Sequence, residues 1–410
     1  MQNLVQTITT TNSHSVISGL GGIGKSSLAL NVLHDPIVEA HFSRRVFFRC
    51  DNIISTSDLI LQLVRLRTDN LSDCENPSNA LREELRVKTT LLLLDNFETL
   101  WEADRRAVEE LLQHIADIES LTLIITTRPG AFVHHLSCRR RFERLLLPGI
   151  DPQSAREFFL HVAPLHSHDE DLDQLLKPMD GYPLVIKLVA ARAAEEQTIR
   201  DVIKLWEKET IAFADDDWLE DRQRSLKVSL SLSINSPLIG RHPNALDLLA
   251  LLAQSPTGFY VVPLQNSKAV QSDAERVLLD MSLAFREKGE MGLRLRLLVP
   301  VAEFVRTTLE PPSFSIVNSV TSFYFAELAT IVDGKWYRND RGLHLRYSED
   351  MPSVFTLIRK CLKRQPYVAL VENFSRGLRF TAMALRSHRL MLIHLLDEVA
   401  IKAFFEEVSK

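Results

Sequence analysis

The chain has 410 residues, 45% apolar and 25% charged, with a net charge of −5 and four cysteines. That length supports two to four domains with cores of their own, while the mildly acidic balance gives no electrostatic pull toward nucleic acid or an anionic membrane. No apolar run approaches the ~18 residues of a membrane span, and Cys50, Cys74, Cys138 and Cys361 show no CxxC pairing, so they read as free thiols of a reducing compartment. The opening MQNLVQTITTTNSHSV lacks the basic and apolar regions of a signal peptide, and the expected location is cytoplasmic.

In chain order, Ser15-Val16-Ile17-Ser18 predicts a short strand that feeds Gly19-Leu20-Gly21-Gly22-Ile23-Gly24-Lys25-Ser26. This run fits G-x-x-x-x-G-K-[ST]. Glycines let backbone N–H groups turn inward on a phosphate, lysine adds a point charge, and the Ser26 hydroxyl completes a Mg²⁺ shell. A helix opening near Lys25 aims its positive dipole end at the same anion. The candidate nucleotide contacts are Gly19, Gly21, Gly22, Ile23, Gly24, Lys25, Ser26 and Ser27. Residues 45–50 predict a second strand, and 57–66, 77–87 and 102–117 predict helices. Thr89-Thr90-Leu91-Leu92-Leu93-Leu94-Asp95 reads as a strand buried on both faces and ending in an acid, so Asp95 is expected to hold the Mg²⁺ through water. Asn96 cannot accept a proton where many fast NTPases place an acid, so hydrolysis is expected to be slow. Glu98 either substitutes as the base or is a solvated loop acid.

Residues 121–128, LTLIITTR, form a β-branched strand with Thr-Arg at its carboxyl edge, where ligands bind in open α/β sheets. Arg128 is the candidate γ-phosphate reader. Residues 142–147 close the series before Pro148-Gly149. The first ~148 residues thus alternate β and α, predicting a parallel sheet with helices on both faces. The run 139–141, RRR, beside His134 and His135 reads as a solvated strand entry. From Asp151, an N-cap followed by proline, the pattern is helical: 151–162, a helix opened by Pro183, then 199–213, 221–235 and 242–253. His161, His166 and His168 read as a solvated turn rather than a metal site. Residues 291–299 alternate like a strand, Pro300 starts a helix, and helices plus a terminal hairpin fit a winged-helix unit.

The series Gly19–Ser26, Leu91–Asp95, Thr126–Arg128 and Gly181–Leu184, followed by a winged helix, resembles the NB-ARC/NACHT-type STAND ATPases, the nucleotide-switched cores of NOD-like receptors and plant resistance proteins. LLLLDNFETLW and LLVPVAEFV look most like the fungal and bacterial branches. The resemblance implies ATP/ADP with Mg²⁺ as ligands, adenosine contacts from Pro183 and Leu184, and self-oligomerisation when ATP is bound. The family's winged helix presents a histidine to ADP; the comparable place here reads Leu298-Val299-Pro300, so that contact is not carried over. The implied organisation is a P-loop domain over 1–148, a helical domain over 149–215, a winged helix over 216–310, and a C-terminal helical region over 311–410 that resembles the start of a solenoid. The chain is then expected to be a core without its usual input and output ends. A catalytic ATPase whose turnover is the output, or a non-switching scaffold, is the competing reading.

Overall fold

The computed structural model describes residues 1–10, 13–51, 53, 55–65, 77–129, 142–196, 198–213, 221–255, 257–267, 270, 272–289, 292–333, 350, 353–354, 356–358 and 360. Cys74, Cys138, Cys361, His134, His135, the arginines at 139–141 and most of the predicted C-terminal helices lie outside them. The chain divides into two compact units, Met1–Ile150 and Asp151–Lys410.

The first unit runs α1 (Gln2–Thr10), β1 (His14–Ser18), α2 (Lys25–Leu33), α3 (Pro36–His41), β2 (Arg44–Arg49), α4 (Thr56–Arg65), α5 (Pro77–Val87), β3 (Thr90–Asp95), α6 (Glu98–Ala103), α7 (Arg105–Ile115), β4 (Leu121–Thr127) and β5 (Phe142–Leu146). All five strands are parallel, in the order β2-β3-β4-β1-β5. The period of two along each strand divides the core between the sheet's faces. Val16, Leu92, Leu94, Leu123 and Ile125 join the side chains of α4, α5 and α7, whereas Ile17, Leu91, Leu93 and Ile124 join those of α1, α2 and α3. This is why β3 reads as an unbroken leucine run: both of its faces are covered.

Three features depart from the sequence reading. Helices α1 and α3 were not anticipated; Leu4, Val5 and Ile8 give α1 one buried stripe, and Asp35 with Pro36 opens α3. The predicted helix over 102–117 is two helices, broken at Asp104 (φ −146°, ψ 51°). The Asp104 carboxylate accepts a hydrogen bond from the Thr56 backbone at 2.9 Å, a tertiary contact that diverts it from a helical conformation. Fully buried His14 ties β1 to the α7–β4 connection. The Leu123 N–H donates to its Nδ1 at 3.0 Å, so the ring proton sits on Nε2 and is donated to the Ala116 carbonyl at 2.8 Å.

The second unit opens with α8 (Pro152–Val162), capped as expected by Asp151, whose carboxylate accepts from the Ser154 N–H at 2.9 Å. It continues through α9 (Leu172–Leu176), α10 (Pro183–Ala193), α11 (Ile199–Ala212), α12 (Asp221–Ile234), α13 (Pro237–Arg241) and α14 (Pro243–Ala253). Then follow β6 (Phe259–Tyr260), α15 (Val261–Asn266), α16 (Ser272–Asp280), β7 (Phe285–Gly289), β8 (Gly292–Arg296), α17 (Val299–Thr308) and α18 (Phe314–Asp333). The strands make an antiparallel sheet, β6-β8-β7, among helices. The predicted strand over 291–299 stops at Arg296, and its last residue already begins α17. Arg294 lies over the Tyr260 ring (4.4 Å) and pairs at 2.7 Å with fully buried Asp350, which also accepts from the Tyr324 hydroxyl. His166 corrects the solvated-turn reading: it is buried, with Nε2 hydrogen-bonded to the Ala193 carbonyl at 2.9 Å. No helix among the described residues is long and apolar enough to cross a membrane.

Candidate nucleotide site

The glycine loop joins β1 to α2 at the carboxyl edge of the parallel sheet, beside β4, where such sheets bind ligands. Gly22 (φ 85°) and Gly24 (φ 105°) occupy left-handed conformations that side chains resist. Gly24 is the N-cap of α2 and supplies no side-chain cap, so the first-turn N–H groups of the helix keep their capacity for an anion. Not every loop residue contributes alike. The Gly19 N–H is spent on the Thr127 carbonyl (3.2 Å) and that of Ile23 on the Leu20 carbonyl (3.3 Å). The Ile23 side chain is buried, and Ser27 is exposed on the first turn of α2.

Lys25 and Ser26 face inward from that turn. Lys25 is 5% exposed and its Nζ donates to the carbonyls of Gly19 (2.7 Å) and Leu20 (3.0 Å). Burial pulls its pKa below the ordinary lysine value, against the raising influence of Glu98. The Ser26 hydroxyl donates to Asp95 Oδ1 at 2.7 Å, and the Thr126 hydroxyl donates to the same oxygen at 2.6 Å. A serine hydroxyl beside a buried carboxylate is a hard-oxygen set that suits Mg²⁺. Ser26 and Asp95 would hold the ion there, which would supply charge neutralisation of phosphate oxygens.

Two residues of this constellation were given no role in the sequence reading. Thr126 stands on β4 between the loop and β3, and its hydroxyl both donates to Asp95 and accepts the Asn96 N–H at 3.0 Å. Asp51, just past β2, accepts from Asn96 Nδ2 at 2.7 Å and pairs with Arg49 at 2.9 Å. Thr126 was visible as a polar residue at a strand's carboxyl edge; Asp51 gave no signal, because its role depends on β2 lying beside β3.

Glu98 and Arg128 come together from the start of α6 and the end of β4, with Nε 3.4 Å from Oε1. The Glu98 side chain is 9% exposed and Arg128 35%. Glu98 is therefore no solvated loop acid. Its Oε2 is buried without a hydrogen-bond partner. Burial pushes its carboxyl above the ordinary value, while its own backbone N–H, Lys25 and Arg128 pull it back. Pro183 and Leu184 belong to the second unit, on the first turn of α10, where Pro183 is half-buried and Leu184 buried. Leu298 is the N-cap of α17 and offers no side-chain donor.

A parallel sheet with a glycine loop, lysine, serine and remote aspartate at its carboxyl edge defines a P-loop nucleotide-binding protein. Residues 1–148 match the NB-ARC domain family. The first unit accordingly matches an NB-ARC domain. The chain is similar to a probable disease resistance protein of Arabidopsis thaliana, 25% identical over 191 residues that cover 43% of this chain and 22% of that one. Among solved structures, it aligns with a STAND protein with a tetratricopeptide repeat sensor from Pyrococcus horikoshii at TM-score 0.49 and 15% identity, over 99% of this chain and 66% of that one. The Aeropyrum pernix ORC1 protein in complex with DNA aligns at TM-score 0.34 and 16% identity, over 75% and 91%. The chain thus spans about a fifth of the plant relative's length and under two thirds of the Pyrococcus protein's.

Proposed function

We propose that the chain is an adenine-nucleotide-controlled signalling switch, in which exchange of ADP for ATP opens the core for self-oligomerisation. The observation that carries this reading is the clustering of Lys25, Ser26, Asp95, Glu98 and Arg128 around one glycine loop. In the proposed cycle Lys25 leaves the loop carbonyls for the β- and γ-phosphates, Ser26 and Asp95 hold Mg²⁺, and Arg128 meets the γ-phosphate that ADP lacks. Only such a differential contact can shift a two-state equilibrium, since a ligand that binds both states equally moves nothing. Adenine preference and the roles of Pro183 and Leu184 rest on resemblance to the family. The four-part organisation, with boundaries at 148, 215 and 310, is likewise proposed.

Mass spectrometry of the small molecules released on denaturing the purified protein tests the reading, together with size-exclusion chromatography in ADP and in a non-hydrolysable ATP analogue. A switch releases adenine nucleotide and elutes earlier with the analogue; identical elution favours a scaffold. A catalytic ATPase is the second reading, supported by the unpartnered Glu98 oxygen near Lys25. Steady-state turnover above about 1 per second would favour it.

A further inference from the structure

Four charges influence one another across the loop: Lys25 and Arg128 against Asp95 and Glu98. They do not share the work evenly. Asp95 takes two hydroxyl donors, and Lys25 is occupied by two carbonyls. Among the described residues, Glu98 has one ion-pair contact, Arg128, and one carboxylate oxygen with no hydrogen-bond partner. A glutamate at a helix start gains from the dipole whether it is exposed or not. Burying it nine-tenths, with an oxygen left over, carries a desolvation cost that the fold does not require. The first acid-like position after Asp95 cannot play this part, because the Asn96 amide is committed to Asp51.

We propose, resting on the nucleotide-switch reading, that Glu98 is an internal competitor for the terminal phosphate. It occupies Arg128 when no γ-phosphate is present, and it sets how strongly the site prefers triphosphate to diphosphate. A diphosphate has no γ-phosphoryl group to offer Arg128 and leaves the pair intact. A triphosphate draws Arg128 away, so the cost of separating the pair falls on the triphosphate alone. The pair thereby lowers triphosphate preference and biases the empty or ADP-bound protein toward rest.

Calorimetric binding of ADP and of a non-hydrolysable ATP analogue, each with Mg²⁺, to the full chain tests this in four proteins: wild type, Glu98→Gln, Arg128→Ala and the double variant. Glu98→Gln is expected to tighten the analogue about fivefold, the size of one exposed or half-buried ion pair, with ADP affinity changed less than about twofold. In the Arg128→Ala background that gain should vanish. Equal tightening of both nucleotides, weaker analogue binding, or a gain that survives Arg128→Ala each overturns the proposal. If Glu98→Gln does not fold, Glu98→Asp, which keeps the charge and shortens the reach, takes its place with the same expected gain. Wild-type protein that binds neither nucleotide sinks the switch reading itself. Wild type that binds both, with selectivity unmoved in the variants, sinks only the competitor role.

Discussion

Many fast NTPases carry an acid where this chain has Asn96, and Asn96→Asp is the obvious substitution for faster hydrolysis. The structure predicts a loss of stability instead, with no gain in rate. Asn96 sits at φ 57° and its Nδ2 is 2.7 Å from Asp51 Oδ1. Aspartate tolerates that backbone, but it replaces the donor with a second carboxylate against a side chain that is only 7% exposed. Two unit charges about 3 Å apart repel by roughly 6 kcal/mol at an effective dielectric near 20. Arg49, 2.9 Å from Asp51, offsets part of this, and small shifts or a shared proton relieve more. The expected net cost is about 2–3 kcal/mol, a fall in melting temperature of about 5–10 °C for a unit of this size. One carboxyl of the pair then has its folded-state pKa raised, so its contribution is present below the unfolded value and lost as pH rises through the folded one. The deficit against wild type should therefore shrink between pH 8 and pH 5. Asp51→Asn combined with Asn96→Asp, which exchanges amide and carboxylate, should recover most of the loss. Thermal melts of nucleotide-free protein and a phosphate-release assay decide it. An Asn96→Asp variant that melts like wild type and hydrolyses ATP faster would refute the reasoning.

Lys25→Met should retain no nucleotide and gain nothing from ADP, whereas wild type at about 100 times its Kd gains about 2.7 kcal/mol; melts with and without ADP show the difference. Since burial lowers the Lys25 pKa, the charged form opposes folding at pH 7, and nucleotide-free Lys25→Met should melt no lower than wild type. Burial raises the Glu98 carboxyl, so its protonation at low pH releases Arg128. Analogue-over-ADP selectivity should fall as pH rises from the ordinary glutamate range toward 8 in wild type and stay flatter in Glu98→Gln, read by calorimetry at each pH. Gly24→Ala places a Cβ at φ 105°, a strain of about 1–2 kcal/mol, seen as a lower denaturant midpoint together with weaker ADP binding.

The fold of the first unit was legible because its cues are local. Leu91 to Leu94 between polar ends announces a covered strand, and the glycines before Lys25 announce the loop. Proline after an N-cap residue fixes the starts of α8 and α10 at Pro152 and Pro183, where the structure has them. Misreadings arose where a side chain answers to a distant segment. Asp104 breaks a helix because Thr56 needs an acceptor, and His166 is buried because the end of α10 offers a carbonyl. Neither contact leaves a mark on neighbouring residues.

The candidate site shows the same division. Lys25, Ser26 and Asp95 lie in motifs whose spacing already encodes their geometry. The acid at position 98 does not, because its environment is made by the backbone between it and Asp95. The left-handed turn at Asn96, held by Thr126 and Asp51, sends that side chain to the end of β2 and starts α6 two residues later. The first acid that α6 presents, Glu98, then meets Arg128. The side chain at position 96 is therefore committed away from the phosphate loop, to Asp51. Under the proposed competitor role, discrimination between nucleotides passes to residue 98, and on the ATPase reading substitutions there should change turnover as well.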